Sequence, residues 1–61
     1  MLEVNHKAGY GLVTDGITIV GKIFYLPSGA LLVKSLTDGY DTIAHSELEA
    51  VEIIRGRVHP C

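Results

Sequence analysis

Lys22-Ile23-Phe24-Tyr25-Leu26-Pro27-Ser28-Gly29-Ala30-Leu31-Leu32-Val33-Lys34 is the stretch that decides the fold. Two runs rich in β-branched, aromatic and aliphatic residues flank a Pro-Ser-Gly turn. Pro stands where φ near about −65° is wanted and Gly where a left-handed residue is wanted, as in a three-residue hairpin with a glycine bulge. That turn pairs Leu26 with Ala30, so Ile23 opposes Val33 and Lys22 opposes Lys34. Leu36-Thr37-Asp38-Gly39 has the same form; it pairs Leu36 with Tyr40 and sets Val33 beside Ile43.

Outward from this hairpin, Ala8-Gly9 and Asp15-Gly16 separate further runs suited to a pleated surface. Strands are expected near residues 1–5, 11–14, 17–26, 30–36, 40–44 and 50–55. Ser46-Glu47-Leu48-Glu49 has the spacing of a capping box, but Val51, Ile53 and Ile54 soon follow, so a single helical or 3₁₀ turn is expected near residues 46–49. The fold class is therefore all-β, with five to six antiparallel strands. Its layout resembles an SH3-like small barrel, which implies a binding module for proteins or nucleic acids. Residues 1–56 form the single domain, and Gly56 and Pro60 imply a fraying tail over 57–61.

The register assigns faces. Ile23, Val33 and Ile43 form a row that shares a face with Ile19, Tyr25 and Leu31; the opposite face carries Val20, Phe24, Leu26, Leu32, Leu36 and Tyr40. A sheet apolar on both sides needs a second layer, and few residues are left to supply it. A homo-oligomer, dimer or higher, is expected, with Val20, Phe24, Leu32, Leu36 and Tyr40 at its interface. Lys22 opposite Lys34 is unfavourable unless an acidic partner or ligand answers the pair or both side chains reach the rim.

Composition narrows the rest. The chain has 61 residues, 48% of them hydrophobic and 20% charged, with a formal net charge of −2 and one cysteine. It is too apolar for a disordered tail and not basic enough to announce nucleic acid. A core of this size supplies only about 3–5 kcal/mol, and a lone Cys61 cannot close an internal disulfide, so self-association is the remaining common staple. The uncharged stretch from Ile23 to Val33 is broken by Pro27-Ser28-Gly29 and is too short for a bilayer, which needs about 20 residues. No membrane partner is expected. Glu3 stands in place of a basic leader, so the expected compartment is cytoplasmic.

No constellation points to catalysis. His45 and Ser46 are adjacent on a strand end and point to opposite faces, and capping explains the hydroxyl. His6, His45, His59 and Cys61 lack the spacing of a metal motif, so neither metal nor cofactor is expected. Asp15 and Asp38 precede glycines as turn formers. Five basic residues face seven acids, which leaves a local patch around His6 and Lys7 as the candidate for a polyanion. Tyr10, Tyr25 and Tyr40 fit core and rim packing better than base stacking.

Met1-Leu2-Glu3-Val4-Asn5-His6-Lys7-Ala8-Gly9, the hairpin at Gly29 and Ile43-Ala44-His45-Ser46-Glu47-Leu48 resemble the carbon storage regulator (CsrA/RsmA) family of small dimeric translational regulators. The resemblance implies single-stranded RNA as partner, with Val4, His6, Lys7 and Ser46 at the RNA contact. His6 and Ser46 stand where that family has arginines. The first expectation is thus a non-catalytic, self-associating binding or adaptor module, with a protein partner or RNA as ligand. The alternative is a CsrA-like RNA-binding regulator. A second is an enzyme with a composite site at a subunit interface, where Lys22, Lys34 and Tyr40 from several copies converge.

Overall fold

The computed structural model describes residues 1–58. His59-Pro60-Cys61, and with them the end of the expected tail and two of the metal candidates, lie outside the described residues. The chain forms β1 (Leu2–Lys7), β2 (Tyr10–Asp15), β3 (Thr18–Tyr25), β4 (Leu31–Ser35), β5 (Asp41–Ala44) and α1 (Glu47–Val58). The strands make an antiparallel meander in the order β1-β2-β3-β4-β5. This sheet is open, with β1 and β5 as its edges, and the expected barrel closure is absent among the described residues.

The first hairpin has the expected geometry. Leu26 N–H donates to the Ala30 carbonyl at 2.9 Å, Gly29 N–H donates to the Leu26 carbonyl at 3.0 Å, and Gly29 takes φ 94°. Ile23 faces Val33 and Lys22 faces Lys34. The second hairpin departs by one residue. It closes between Ser35 and Tyr40, whose carbonyl accepts from Ser35 N–H at 3.0 Å, so Val33 faces Thr42 and Leu32 faces Ile43. Asp38 accounts for the longer loop: its carboxylate accepts from Tyr40 N–H at 3.0 Å and pairs with Arg57 of α1 at 2.8 Å. The slip also turns the small Ala44, fully buried, toward α1 and sends Ile43 to the other side.

A second local irregularity moves Val20. Val13 faces Gly21 while Thr14 faces Ile19, so Val20 is the extra residue of a β-bulge. It turns inward to the core rather than to the interface expected for it. Tyr40 is likewise displaced from that interface set. Its ring lies 5.6 Å from the Arg57 guanidinium, at the C-terminal end of α1.

The largest departure is the C-terminal segment, which is helix rather than a turn and a final strand. Ala50, Ile54 and Val58 recur at four-residue spacing, and that period outweighs the strand preference of the β-branched residues. The start is as expected: Ser46 Oγ accepts from Glu49 N–H at 3.1 Å, while the Glu49 carboxylate reaches back to His45 N–H at 3.1 Å. Glu47 and Glu49 in the first turn and Arg55 and Arg57 in the last suit the helix dipole. Arg57 and Val58 are the last two residues of the helix.

α1 packs on one face of the sheet. Val13, Val20, Ile23, Leu31, Val33 and Ala44 from the strands join Ala50 and Ile54 from the helix in a single core. Gly21 makes the approach possible, because a Cβ built there would stand 2.5 Å from Ile54 Cδ1 and 3.1 Å from the Lys34 carbonyl. We therefore expect Gly21→Ala to destabilise the fold by about 1–3 kcal/mol through overpacking, and Ile54→Val in the same chain to recover part of the loss. Urea unfolding of the single and double variants measures both, and a Gly21→Ala chain as stable as the parent would contradict this packing.

Candidate recognition surface

Each side of the sheet carries an organised group of side chains. On the helix side, β1 brings His6 and the end of β3 brings Tyr25 to the first residue of α1. His6 Nε2 lies 2.8 Å from Glu47 Oε2, and the Tyr25 hydroxyl donates to the same oxygen at 3.1 Å. The hydrogen bond to His6 is the main reason the Glu47 carboxyl is held below its ordinary range. Partial burial opposes it, and the Tyr25 hydroxyl adds to it. Burial, and then the Glu47 carboxylate, push the Tyr25 hydroxyl upward.

This cluster decides the fate of the expected RNA contacts. Val4 packs against the core edge, His6 is taken by Glu47, and Ser46 caps α1. Lys7 alternates with His6 along β1 and projects from the opposite side of the sheet. The four residues do not converge, and a phosphate placed at His6 would meet the Glu47 carboxylate. Lys22, Lys34 and Tyr40, the residues of the composite-enzyme expectation, also do not meet within one copy: the lysines lie on the outer face and Tyr40 beside α1. The described residues contain no group of three or more metal-binding side chains, no cavity, and no helix long and apolar enough to cross a membrane.

The outer face carries the more organised pattern. No helix covers it, and cross-strand pairing lines up Tyr10, Phe24, Leu32 and Ile43 in one row across β2 to β5. The Tyr10 and Phe24 rings lie 6.2 Å apart at 31°. A parallel row runs Asn5, Leu12, Lys22, Lys34 and Asp41. Phe24 and Leu32 are half-buried by their neighbours in the sheet, and Ile43 is 50% exposed. Leu36 lies at the end of the sheet, also 50% exposed, and its N–H donates to the Val20 carbonyl.

Tyr10, Leu12 and Ile43 are not expected in this surface from sequence. Tyr10 precedes the strand expected from Gly11 onward, and Ile43 belongs to the inner face in the unshifted register. The signal for Ile43 is its neighbour Ala44, which is small enough to lie beneath a helix. All three lysines of the chain, Lys7, Lys22 and Lys34, also fall on the outer face. Lys34 pairs with Asp41 at 3.1 Å, whereas Lys22 has no carboxylate partner among the described residues.

Comparison of the chain with protein-family models, curated proteins and solved structures gives no match.

The Glu47 cluster gives a signed pH dependence. A carboxylate whose folded pKa is depressed stabilises the fold at neutral pH, and that contribution is lost as pH falls through the folded value, below the ordinary glutamate range. The stability difference between the parent and Glu47→Gln should therefore be largest near neutrality and narrow on acidification toward about pH 3. Thermal unfolding of both proteins across that range measures it; a gap that is constant or widens in acid would show that the ionised carboxylate contributes nothing.

Proposed function

We propose that the chain is a non-catalytic binding module that self-associates through the open outer face of its sheet. The observation that supports this is the row Tyr10, Phe24, Leu32 and Ile43, which lies on the side of the sheet that α1 leaves bare. Of the interface residues expected from sequence, Phe24 and Leu32 belong to this row, and Leu36 lies at the sheet end, beyond the Lys22–Lys34 pair. A contiguous apolar row on an open face marks an interaction site more often than scattered exposed side chains do.

A second copy is an occupant of fitting size and chemistry. Five strands about 4.8 Å apart and roughly 18 Å long present on the order of 400 Å² in projection. That is below the ~800 Å² per partner of a standard interface, so the association is weak and reversible. Lys22 lowers its strength further, since burying a cation without an acid costs free energy.

Sedimentation over protein concentrations from about 10 µM to about 1 mM, a range suited to an interface of this size, tests the proposal. The weight-average mass should rise with concentration. Leu32→Lys, which places a charge in the middle of the apolar row, should return the chain to monomer while circular dichroism stays unchanged. Leu48→Lys on the exposed side of α1 should sediment like the parent. A parent chain that is monomeric throughout, or a Leu32→Lys chain that associates normally, would remove the proposed interface.

A further inference from the structure

Glu3, Lys7 and Lys22 are left over once the ion pairs are made; every other Asp, Glu, Lys and Arg among the described residues has an oppositely charged or histidine partner. Glu3 and Lys7 both lie on β1, on the same face and four positions apart, which is about 14 Å along an extended strand. They are too distant to meet within one copy. β1 is also an unpartnered edge of the sheet. It is six residues long, contains no proline and pairs with β2 without a register shift, so only its charges blunt the row of free backbone groups. β5, the other edge, has four residues.

Alternation along the ladder says which backbone groups are free. Lys7 and Tyr10 close the two-residue turn at Ala8-Gly9, so the backbone groups of Lys7, Asn5 and Glu3 turn toward β2. Those of Val4 and His6 therefore point outward. A second copy of β1 laid antiparallel along this edge, with Asn5 on the twofold axis, brings Val4 opposite the partner's His6, where the two exchange both N–H···O=C bonds. The same register sets Glu3 opposite the partner's Lys7, twice by symmetry, on the outer face. Pairing centred on Glu3 or on Lys7 would instead set like charges opposite each other, which destabilises a strand pair. Centred on Val4 or His6, neither charge meets the other. The edge complements itself in one symmetric register.

We propose that two copies join edge to edge through β1 in this register, extending the five-stranded sheet to ten strands, and that the joined outer faces pack against a second such pair. The axis of the join stands perpendicular to the sheet, so both copies keep their helices on one side and their apolar rows on the other. The join doubles the outer face to on the order of 800 Å² in projection, the area that a standard interface takes from each partner. This four-chain step rests on the reading that the outer face self-associates; the edge register does not. Alone, the edge contact is a few backbone hydrogen bonds and two exposed ion pairs, too weak to hold a pair at the concentrations that populate the face-paired form. Each contact strengthens the other, and the assembly closes through twofold axes.

Sedimentation of the full chain tests the assembly. Over about 10 µM to about 1 mM, the parent's weight-average mass should pass that of two chains and approach that of four. Glu3→Lys alone and Lys7→Glu alone each set like charges across the join and should stop at two chains, with the edge step weakened at least about tenfold. Mixed in equal amounts, the two variants again oppose unlike charges and should recover the parent's mass. The double variant Glu3→Lys with Lys7→Glu should recover it too.

Cross-linking reads the register without the outer face. In a chain carrying Leu32→Lys and Cys61→Ser, Asn5→Cys places one thiol from each copy on the axis, with Cα atoms about 4.5 Å apart, within disulfide range. In a glutathione buffer its linked dimer should exceed that of Leu12→Cys, which lies about 14 Å from its mate, at least about tenfold. Adding Glu3→Lys should remove the excess. An Asn5→Cys chain that links no better than Leu12→Cys would overturn the edge pairing, as would a Glu3→Lys chain that reaches the parent's mass; a parent that levels at two chains then leaves the outer-face interface standing. Preferential linkage through Asn5→Cys beside a parent monomeric throughout would keep the edge pairing and sink the outer-face reading, and the four-chain step with it.

Discussion

One amphipathic helix can cover only one side of a five-stranded sheet, and that shortage of cover governs the rest of the molecule. The single α1 closes over Val13, Ile23, Leu31 and Val33 and brings Ala50 and Ile54 down onto them. Its approach depends on Gly21, where any side chain would collide with Ile54. With that contact made, the inner face is dry and the outer face is left to solvent or to a partner. The exposed row of Tyr10, Phe24, Leu32 and Ile43 is the direct result of placing the helix on the other side.

The polar contacts around α1 anchor it at both ends. At its start, Glu47 gathers His6 from the edge strand and Tyr25 from β3, tying three distant parts of the chain to one carboxylate. At its end, Arg57 pairs with Asp38 and lies over the Tyr40 ring. These groups are partly exposed to solvent, so each pair is modest in energy. Their effect is positional. They set the helix over the inner face, and they occupy His6, which removes it from any role in holding an anion.

Much of the sheet was legible because turn chemistry is local. Pro27 and Gly29 sit within a few residues of the hydrogen bonds they direct, and the pairing of Lys22 with Lys34 followed by counting. The second hairpin failed the same count because its loop length depends on Asp38 being held by Arg57, nineteen positions away. Simple alternation misplaces Val20 because a bulge inverts the faces on one strand only, and the local signal for it is Gly21, a residue that within a strand often marks a bulge. The helix was missed for a different reason. Val51, Ile53 and Ile54 favour strands in isolation, while the spacing of Ala50, Ile54 and Val58 favours a helix. Packing against Gly21 decided between them.

The sequence by itself determined an antiparallel meander with two apolar faces and the cap at Ser46, since alternation, turns and caps act between near neighbours. Only the tertiary structure decided that the sheet stays open, that its last segment folds over as a helix, and that the lysines and the aromatic pair share a face. Those outcomes depend on which side the helix takes and on one-residue shifts of register. A shift of one residue exchanges the two sides of a strand, and its direction is set by contacts between residues far apart in the chain.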